Sequence, residues 1–159
     1  TTGFLFKEKT GDRKMIKAKI KEYNIPFKEV PMIKKGGFFK LPSGKIIKNT
    51  ELTIAPQPAK SYAFCSDTAY FIGLVPFIKN VDLLYHEATF LADREDLAKK
   101  TKHSTSKEAA KIAKDANVKQ LIIGHYSGRY KDISIFKKEA QEIFENTKLA
   151  EPGKVFRVE

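Results

Sequence analysis

The amino-acid sequence predicts an α/β domain, because short apolar runs typical of strands alternate with amphipathic segments typical of helices. Three apolar runs carry this prediction, and each one ends in residues that can do chemistry. They are SYAFCSD (61–67), NVDLLYHEA (80–88) and VKQLIIGH (118–125). Apolar residues make up 42% of the 159, which is enough for one domain with a packed core.

Two helices and a last strand are predicted around these runs. Thr105 and Glu108 have the spacing of a capping box, which predicts a helix over 105–117. Apolar residues at positions i, i+4, i+7 and i+8 predict a second helix over 133–146. The segment KVFRV predicts a closing strand over 154–158.

The first 60 residues follow a different pattern, with shorter elements and many lysines. Their predicted elements are a strand over 3–8, a helix over 13–24, irregular structure at Pro26 and Pro31, two short strands around a turn at 42–44, and a linker over 55–60. We therefore divide the chain into a basic segment, 1–60, and a segment that carries the chemistry, 61–159.

The net charge of +11 is concentrated in the N-terminal third. Residues 1–48 hold 13 Lys or Arg against 4 Asp or Glu, whereas residues 49–159 hold 17 against 15. A basic surface attracts polyanions such as nucleic acid, because lysines near phosphates release bound counterions. A solvated surface that keeps the protein soluble is the alternative interpretation.

Composition argues against a membrane protein and favours the cytoplasm. Charged residues make up 31%, and no run approaches the ~18 apolar residues of a spanning helix. The opening segment TTGFLFKEKTGDRK is too charged for a signal peptide. The single cysteine, Cys65, cannot form an internal disulfide, which fits a reducing compartment.

Chemistry-bearing side chains follow the three apolar runs. Asp67 ends the first, His86 and Glu87 end the second, and His125 ends the third, while His103 lies in a loop. In open α/β sheets, sites form outside the carboxyl ends of strands. Carboxylate and imidazole are ligands of zinc and similar metals, but Asp67 and His125 alone supply half of a metal site. The pattern leaves a metal site and an acid–base site both open.

At these residues the chain resembles ribonuclease Z, the tRNA 3′-processing endonuclease family of the metallo-β-lactamase superfamily. The segments that carry the resemblance are CSDTAY (65–70), HEATF (86–90), KHSTSKEAA (102–110), LIIGHYSGRY (121–130) and EAQEIFENTKLA (139–150). Their order and spacing are those of the family, and the resemblance covers most of the chain. The resemblance implies the C-terminal half of a metallo-β-lactamase-type αββα sandwich.

The resemblance also implies roles for single residues. Asp67 would bridge two divalent metal ions, most readily zinc and alternatively manganese, and His125 would bind one of them. His103 would be the catalytic group that protonates the leaving 3′ oxygen or stabilises the scissile phosphate. Glu87 would orient His103, and His86 would stiffen the loop from behind the ligands.

RNA contacts are implied at two places. Ser127 and Arg129, with Tyr130, would lie near the RNA end, where a guanidinium can pair with a phosphate. The basic segment corresponds roughly to the family's tRNA-binding arm, for which we expect Lys17, Lys21, Lys34 and Lys35 to contact RNA. The sequence departs from the family there, because NIPFKEVPM (24–32) stands where the arm often has a Gly-Pro pair.

The family's H-x-H-x-D-H segment, which supplies most metal ligands, is not found in these 159 residues. We therefore expect a fragment that is inactive alone and that associates with the missing N-terminal half or with a second copy as a homodimer. In the complete protein the implied activity is removal of 3′ trailers from precursor tRNA.

Two alternatives stay open. One is another metallo-β-lactamase-fold hydrolase that acts on a small ester or thioester. The other is a non-catalytic RNA-binding module, for which the strand-end residues would have no explanation.

Overall fold

A computed structural model describes residues 2–158. The chain forms two compact units, one of residues 2–8 with 60–158 and one of residues 9–59. Residues 2–8 and Lys60, which the predicted boundary places in the basic segment, are thus part of the larger unit. No helix in residues 2–158 combines the length and the apolar character needed to cross a bilayer.

The regular elements are short and numerous. The strands are β1 (Phe4–Lys7), β2 (Lys14–Met15), β3 (Phe39–Lys40), β4 (Ile46–Ile47), β5 (Thr53–Ile54), β6 (Ser61–Cys65), β7 (Leu83–Glu87), β8 (Gln120–Gly124) and β9 (Thr147–Leu149). The α-helices are α1 (Lys17–Glu22), α2 (Val30–Lys34), α3 (Asn49–Leu52), α4 (Glu95–Thr101), α5 (Ser106–Asp115) and α6 (Ser134–Gln141).

The larger unit is built on a five-stranded sheet in the order β1-β6-β7-β8-β9. Strands β6 to β9 run parallel, and β1 pairs with β6 in the antiparallel direction. The three apolar runs thus form neighbouring strands of one sheet. Because these strands are parallel, their carboxyl ends lie along the same edge.

One face of the sheet packs against α5 and α6. Leu84, Leu121 and Ile123 from the strands share a core with Ile112 of α5 and Phe136 of α6. The capping box predicted for α5 is present, since Thr105 and Glu108 satisfy each other's backbone N–H. The helix predicted over 133–146 is present but shorter than predicted, because α6 ends at Gln141.

The opposite face carries aromatic side chains that are only half buried. Phe64 and Tyr85 stack there with ring centroids 4.7 Å apart, and Phe156 lines a surface hollow beside them. The predicted closing strand over 154–158 is wrong, because those residues are not in a strand and the last strand is β9. The edge position next to β8 is occupied by β9. Pairing with β8, rather than the local alternation of apolar and polar residues, therefore decides which segment becomes the last strand.

The smaller unit holds two separate two-stranded sheets, β2-β5 and β3-β4. Its core consists of Ile25, Ile33, Ile47 and Leu52. The turn predicted at 42–44 is confirmed by the pairing of β3 with β4. The helix predicted over 13–24 is shortened to α1, since Lys14 and Met15 pair with β5.

The expected irregularity at Pro31 is wrong. Pro31 lies in the first turn of α2, where a backbone N–H would have no partner within the helix.

Candidate metal and acid–base site

Four side chains converge at the carboxyl edge of the parallel strands. Asp67 follows β6 by two residues, Glu87 is the last residue of β7, and His125 follows β8 directly. His103 reaches the same place from the loop between α4 and α5. Each of the four offers a ligand atom, and these atoms all lie within 4.8 Å of one another.

Glu87 is the centre of a hydrogen-bond network that joins the loops. Its carboxylate is fully buried. Oε1 accepts from the Thr68 N–H at 2.7 Å and contacts His103 Nδ1 at 2.8 Å. Oε2 accepts from the Thr89 hydroxyl at 2.6 Å and from the N–H groups of Thr89 and Ser104 at 3.2 Å.

These contacts determine what Glu87 can do. A carboxylate has about four acceptor positions, and five donors already surround this one. Glu87 therefore has no free lone pair for a metal ion, although it lies within the cluster of four.

His103 is held on both sides. Its backbone N–H donates to Ala98 O at 2.9 Å. The preceding residue, Lys102, has a left-handed backbone conformation and caps the C-terminus of α4. Its Nδ1 is fixed by Glu87, and its side chain is 24% exposed. A buried carboxylate next to Nδ1 fixes the ring orientation and leaves Nε2 to exchange a proton. The ring centroid of His103 lies 5.2 Å from that of His125.

Asp67 and His125 form the second pair of the site. Asp67 Oδ1 lies 3.0 Å from His125 Nε2, and both side chains are exposed to solvent. Both residues have positive φ, 50° and 63°, a conformation that side chains other than glycine rarely adopt. They follow β6 and β8, the strands on either side of β7, and sparsely populated backbone conformations cluster at functional sites.

The donor set of this pair fits a divalent metal. Two ligands of one tetrahedral zinc lie about 3.3–3.6 Å apart, since each is ~2.0–2.2 Å from the ion. Asp67 Oδ1 and His125 Nε2 are 3.0 Å apart, a hydrogen-bond distance, so a slight widening would bring them to the separation that zinc requires. The oxygen and nitrogen atoms are also of the types that zinc and manganese accept.

His86 lies outside this cluster. It is buried in the sheet, with Nδ1 2.8 Å from Glu87 O, and Nε2 has no partner among the described residues. Burial lowers the pKa of His86, so the neutral imidazole is favoured.

The residues expected near RNA lie in several places. The Ser127 N–H donates to Thr89 O at 3.0 Å, and the Arg129 guanidinium lies 5.4 Å from the Phe90 ring centroid. Phe90 in turn makes an edge contact with the ring of His103. Tyr130 accepts from the Leu91 N–H and packs on Phe136. Lys17, Lys21, Lys34 and Lys35 belong to the smaller unit, and all but the half-buried Lys34 are exposed.

Sequence reasoning missed Thr68, Thr89 and Ser104. Each contacts the Glu87 carboxylate or the loop beside it, and the Ser104 hydroxyl also donates to Thr68 O at 2.7 Å. The sequence offered one indication of their importance, which is that each lies one or two residues from a chemistry-bearing side chain.

The family assignment follows from the fold and this site. A family model described as a beta-lactamase superfamily domain matches residues 16–126. The chain therefore belongs to the beta-lactamase superfamily. Among solved structures it is similar to the metallo-beta-lactamase fold protein YhfI from Bacillus subtilis, with a TM-score of 0.58 and 29% identity over 62% of this chain and 40% of that chain. The predicted fold class is confirmed.

Within the superfamily, the chain is similar to ribonuclease Z. It is 50% identical over 145 residues to ribonuclease Z of Porphyromonas gingivalis, which covers 91% of this chain and 48% of that protein. It is 43% identical over 157 residues to that of Cytophaga hutchinsonii, covering 98% and 50%. Human tRNase Z, short form, matches with a TM-score of 0.51 and 26% identity over 72% of this chain and 37% of that chain. The resemblance seen in the sequence is confirmed, and the chain spans about half the length of the curated relatives it matches.

Proposed function

We propose that this chain is part of a metal-dependent endoribonuclease that removes 3′ trailers from tRNA precursors. The observation that carries the proposal is the placement of the Glu87–His103 pair beside the Asp67–His125 pair. The first pair suits proton transfer and the second suits a metal ion. The 50% identity to a ribonuclease Z supports the choice of substrate.

Asp67 and His125 would hold the metal, Asp67 through its carboxylate and His125 through Nε2. Bound divalent metal, zinc or manganese, would supply an activated water and neutralise charge on the phosphate. His103 would donate a proton to the leaving 3′ oxygen, while Glu87 holds Nδ1 and fixes the ring. Ser127 and Arg129 would lie near the RNA end, with the guanidinium seated over Phe90.

The smaller unit would bind the body of the precursor tRNA. Lys17, Lys21 and Lys35 are exposed there, and the segment 1–48 carries most of the net charge. Lysines bind phosphate as mobile point charges, so they grip RNA without reading its sequence.

We also propose that the chain alone does not cleave RNA. Two ligands cannot hold two metals, and the other two members of the cluster are committed elsewhere, because Glu87 is saturated and His103 is assigned to proton transfer. Other groups must complete the site, from the remainder of a longer protein or from a second copy of this chain. The half-buried aromatic face of the sheet is the surface that we expect such a partner to cover.

A different hydrolase of the same fold is the second candidate. It is favoured by one observation, the TM-score to YhfI, which exceeds the 0.51 to human tRNase Z, short form, and the 0.53 to a long form RNase Z from yeast. Such an enzyme would act on a small ester or thioester.

Reconstitution separates these functions. The chain would be assayed alone, and again mixed with the half of the Porphyromonas gingivalis ribonuclease Z that it does not match, with zinc or manganese added. We expect trailer removal from a 3′-extended tRNA only in the mixture, and its loss with Asp67→Ala. Hydrolysis of a thioester without RNA cleavage would favour the second candidate. RNA binding without either reaction, in a mixture that binds zinc, would favour a binding module.

A further inference from the structure

We infer that Thr89 is a positioning residue: its hydroxyl group is oriented by Glu87 and in turn orients the imidazole of His125. Through its hydroxyl group it fixes the imidazole with the hydrogen on Nδ1, so that the lone pair of Nε2 faces the cation site beside Asp67. The inference rests on the proposed metal-binding role of Asp67 and His125, which it refines.

The Thr89 hydroxyl lies between the two side chains. Its Oγ1 is 2.6 Å from Glu87 Oε2 and 2.9 Å from His125 Nδ1. Thr89 is buried, with 6% of its surface exposed. Its backbone is tied down on both sides, because its N–H donates to Glu87 Oε2 and its carbonyl accepts from the Ser127 N–H. The hydroxyl group therefore has little freedom to turn away.

The direction of both hydrogen bonds follows from counting hydrogens. A hydroxyl group has one hydrogen to donate. The Glu87 carboxylate accepts hydrogen bonds from the backbone N–H groups of Thr68, Thr89 and Ser104, so its oxygens act as acceptors. Thr89 must therefore donate to Glu87. Its remaining lone pairs can only accept, which requires His125 to carry its hydrogen on Nδ1.

This assignment determines the chemistry of the other nitrogen. In the neutral ring with Nδ1–H, Nε2 carries a lone pair. That lone pair lies 3.0 Å from Asp67 Oδ1, which is also an electron-pair donor. Two electron-pair donors at this distance repel each other unless a cation lies beside both, either a metal ion or a proton on Nε2. Fixing the hydrogen on Nδ1 thus prepares the pair for a metal.

Glu87 consequently controls both histidines through its two oxygens. Oε1 contacts His103 directly, and Oε2 reaches His125 through the Thr89 hydroxyl. Hydrogen bonds to the second nitrogen of a metal-binding histidine fix its tautomer and raise its basicity. One buried carboxylate would in this way couple the proton donor to the metal ligand.

A matched pair of variants isolates the hydroxyl group. Thr89→Val keeps the shape of the side chain and removes the donor and acceptor, whereas Thr89→Ser keeps the hydroxyl group and removes a methyl. The first readout is the tautomer of His125 in the metal-free chain, measured from its ring 15N shifts by NMR above neutral pH. The second is zinc affinity, measured by competition with a chelating dye.

We expect Nδ1–H in the wild type and in Thr89→Ser, and loss of that preference in Thr89→Val. Zinc affinity should fall about 10–100-fold in Thr89→Val, the usual effect of removing such a partner, and stay near the wild-type value in Thr89→Ser. Nε2–H in the wild type, or equal affinity in all three proteins, would overturn the inference. If Thr89→Val does not fold, the wild-type tautomer and the Thr89→Ser variant still decide it.

The proposed function can fail separately. Zinc binding with the expected tautomers but without RNA cleavage in the reconstituted mixture would reject the nuclease and leave the inference standing. A wild-type chain that binds no zinc and shows Nε2–H would reject both the metal role and the inference.

Discussion

Glu87 Oε1 and His103 Nδ1 lie 2.8 Å apart, with the carboxylate fully buried and the imidazole 24% exposed. The pair therefore has one member anchored in the fold and one member accessible to a substrate. A buried carboxylate behind an accessible imidazole is an arrangement that suits a general acid, because the ring keeps one orientation while it exchanges a proton.

The first prediction concerns this imidazole. In the reconstituted enzyme, His103→Ala should lower kcat by roughly 10²–10⁴-fold, the usual contribution of a general acid. Bound zinc, measured by metal analysis, should stay at the wild-type level because His103 is assigned no metal. Asp67→Ala is the matched comparison and should lose both metal and activity. Loss of metal from the His103 variant would identify that residue as a ligand.

The second prediction concerns stability. Glu87→Ala should lower the free energy of unfolding of the chain by on the order of 3 kcal/mol or more, because three backbone N–H groups lose their buried acceptor and each costs ~1–3 kcal/mol unpaired. Urea unfolding measures it. Asp67→Asn, at an exposed position of the same site, should change stability by less than ~0.5 kcal/mol. Equal effects of the two changes would mean that the network around Glu87 does not stabilise the fold.

The sequence was sufficient to locate the site but not to complete it. Asp67, Glu87 and His125 could be found because each ends an apolar run, and parallel strands end at one edge. Thr89 could not, because its role depends on the distance between loops that are 36 residues apart in the chain. The error over 154–158 has a related cause. Local alternation predicts a strand, but only pairing with β8 at the sheet edge decides which segment becomes one.

The third prediction follows from the lowered pKa of His86, whose main cause is burial. The unfolded chain binds a proton at this histidine near pH ~6.5, whereas the folded chain binds it only at lower pH. The contribution of His86 to the free energy of unfolding is therefore fully present above the pKa that this group has in the unfolded chain, and it is lost as the pH falls below that pKa. Urea unfolding between neutral pH and pH ~5 should show this decrease. His86→Leu should flatten the decrease, whatever its absolute stability, and an unchanged slope would assign the effect to other groups.

The fourth prediction concerns RNA binding by the smaller unit. If Lys17, Lys21, Lys34 and Lys35 contact phosphates, the affinity for precursor tRNA should fall with salt, with a log–log slope of about −0.9 per duplex phosphate neutralised. Replacing all four by Gln should flatten the slope. The control replaces four exposed lysines of the larger unit, Lys79, Lys99, Lys114 and Lys138. Equal flattening by both sets would indicate a general charge effect rather than a binding surface.

The last prediction tests how β8 places His125. A Cβ atom at Gly124 would lie 2.7 Å from the Tyr85 hydroxyl oxygen, 2.9 Å from Cε2 of the same ring and 3.0 Å from Ala150 Cβ. Such distances require the ring or the strand to move, so Gly124→Ala should cost ~1–3 kcal/mol of stability. Tyr85→Leu removes the ring that causes the conflict. In the double variant the cost of Gly124→Ala should therefore shrink, with an interaction energy of roughly 0.5–3 kcal/mol. Urea unfolding of the wild type, both single variants and the double variant gives this energy. Strict additivity would show that the Tyr85 ring does not limit how closely β8 approaches it.

The same substitutions should affect the metal site. Because His125 follows Gly124 with φ of 63°, Gly124→Ala should also weaken zinc binding, and Tyr85→Leu should restore part of it.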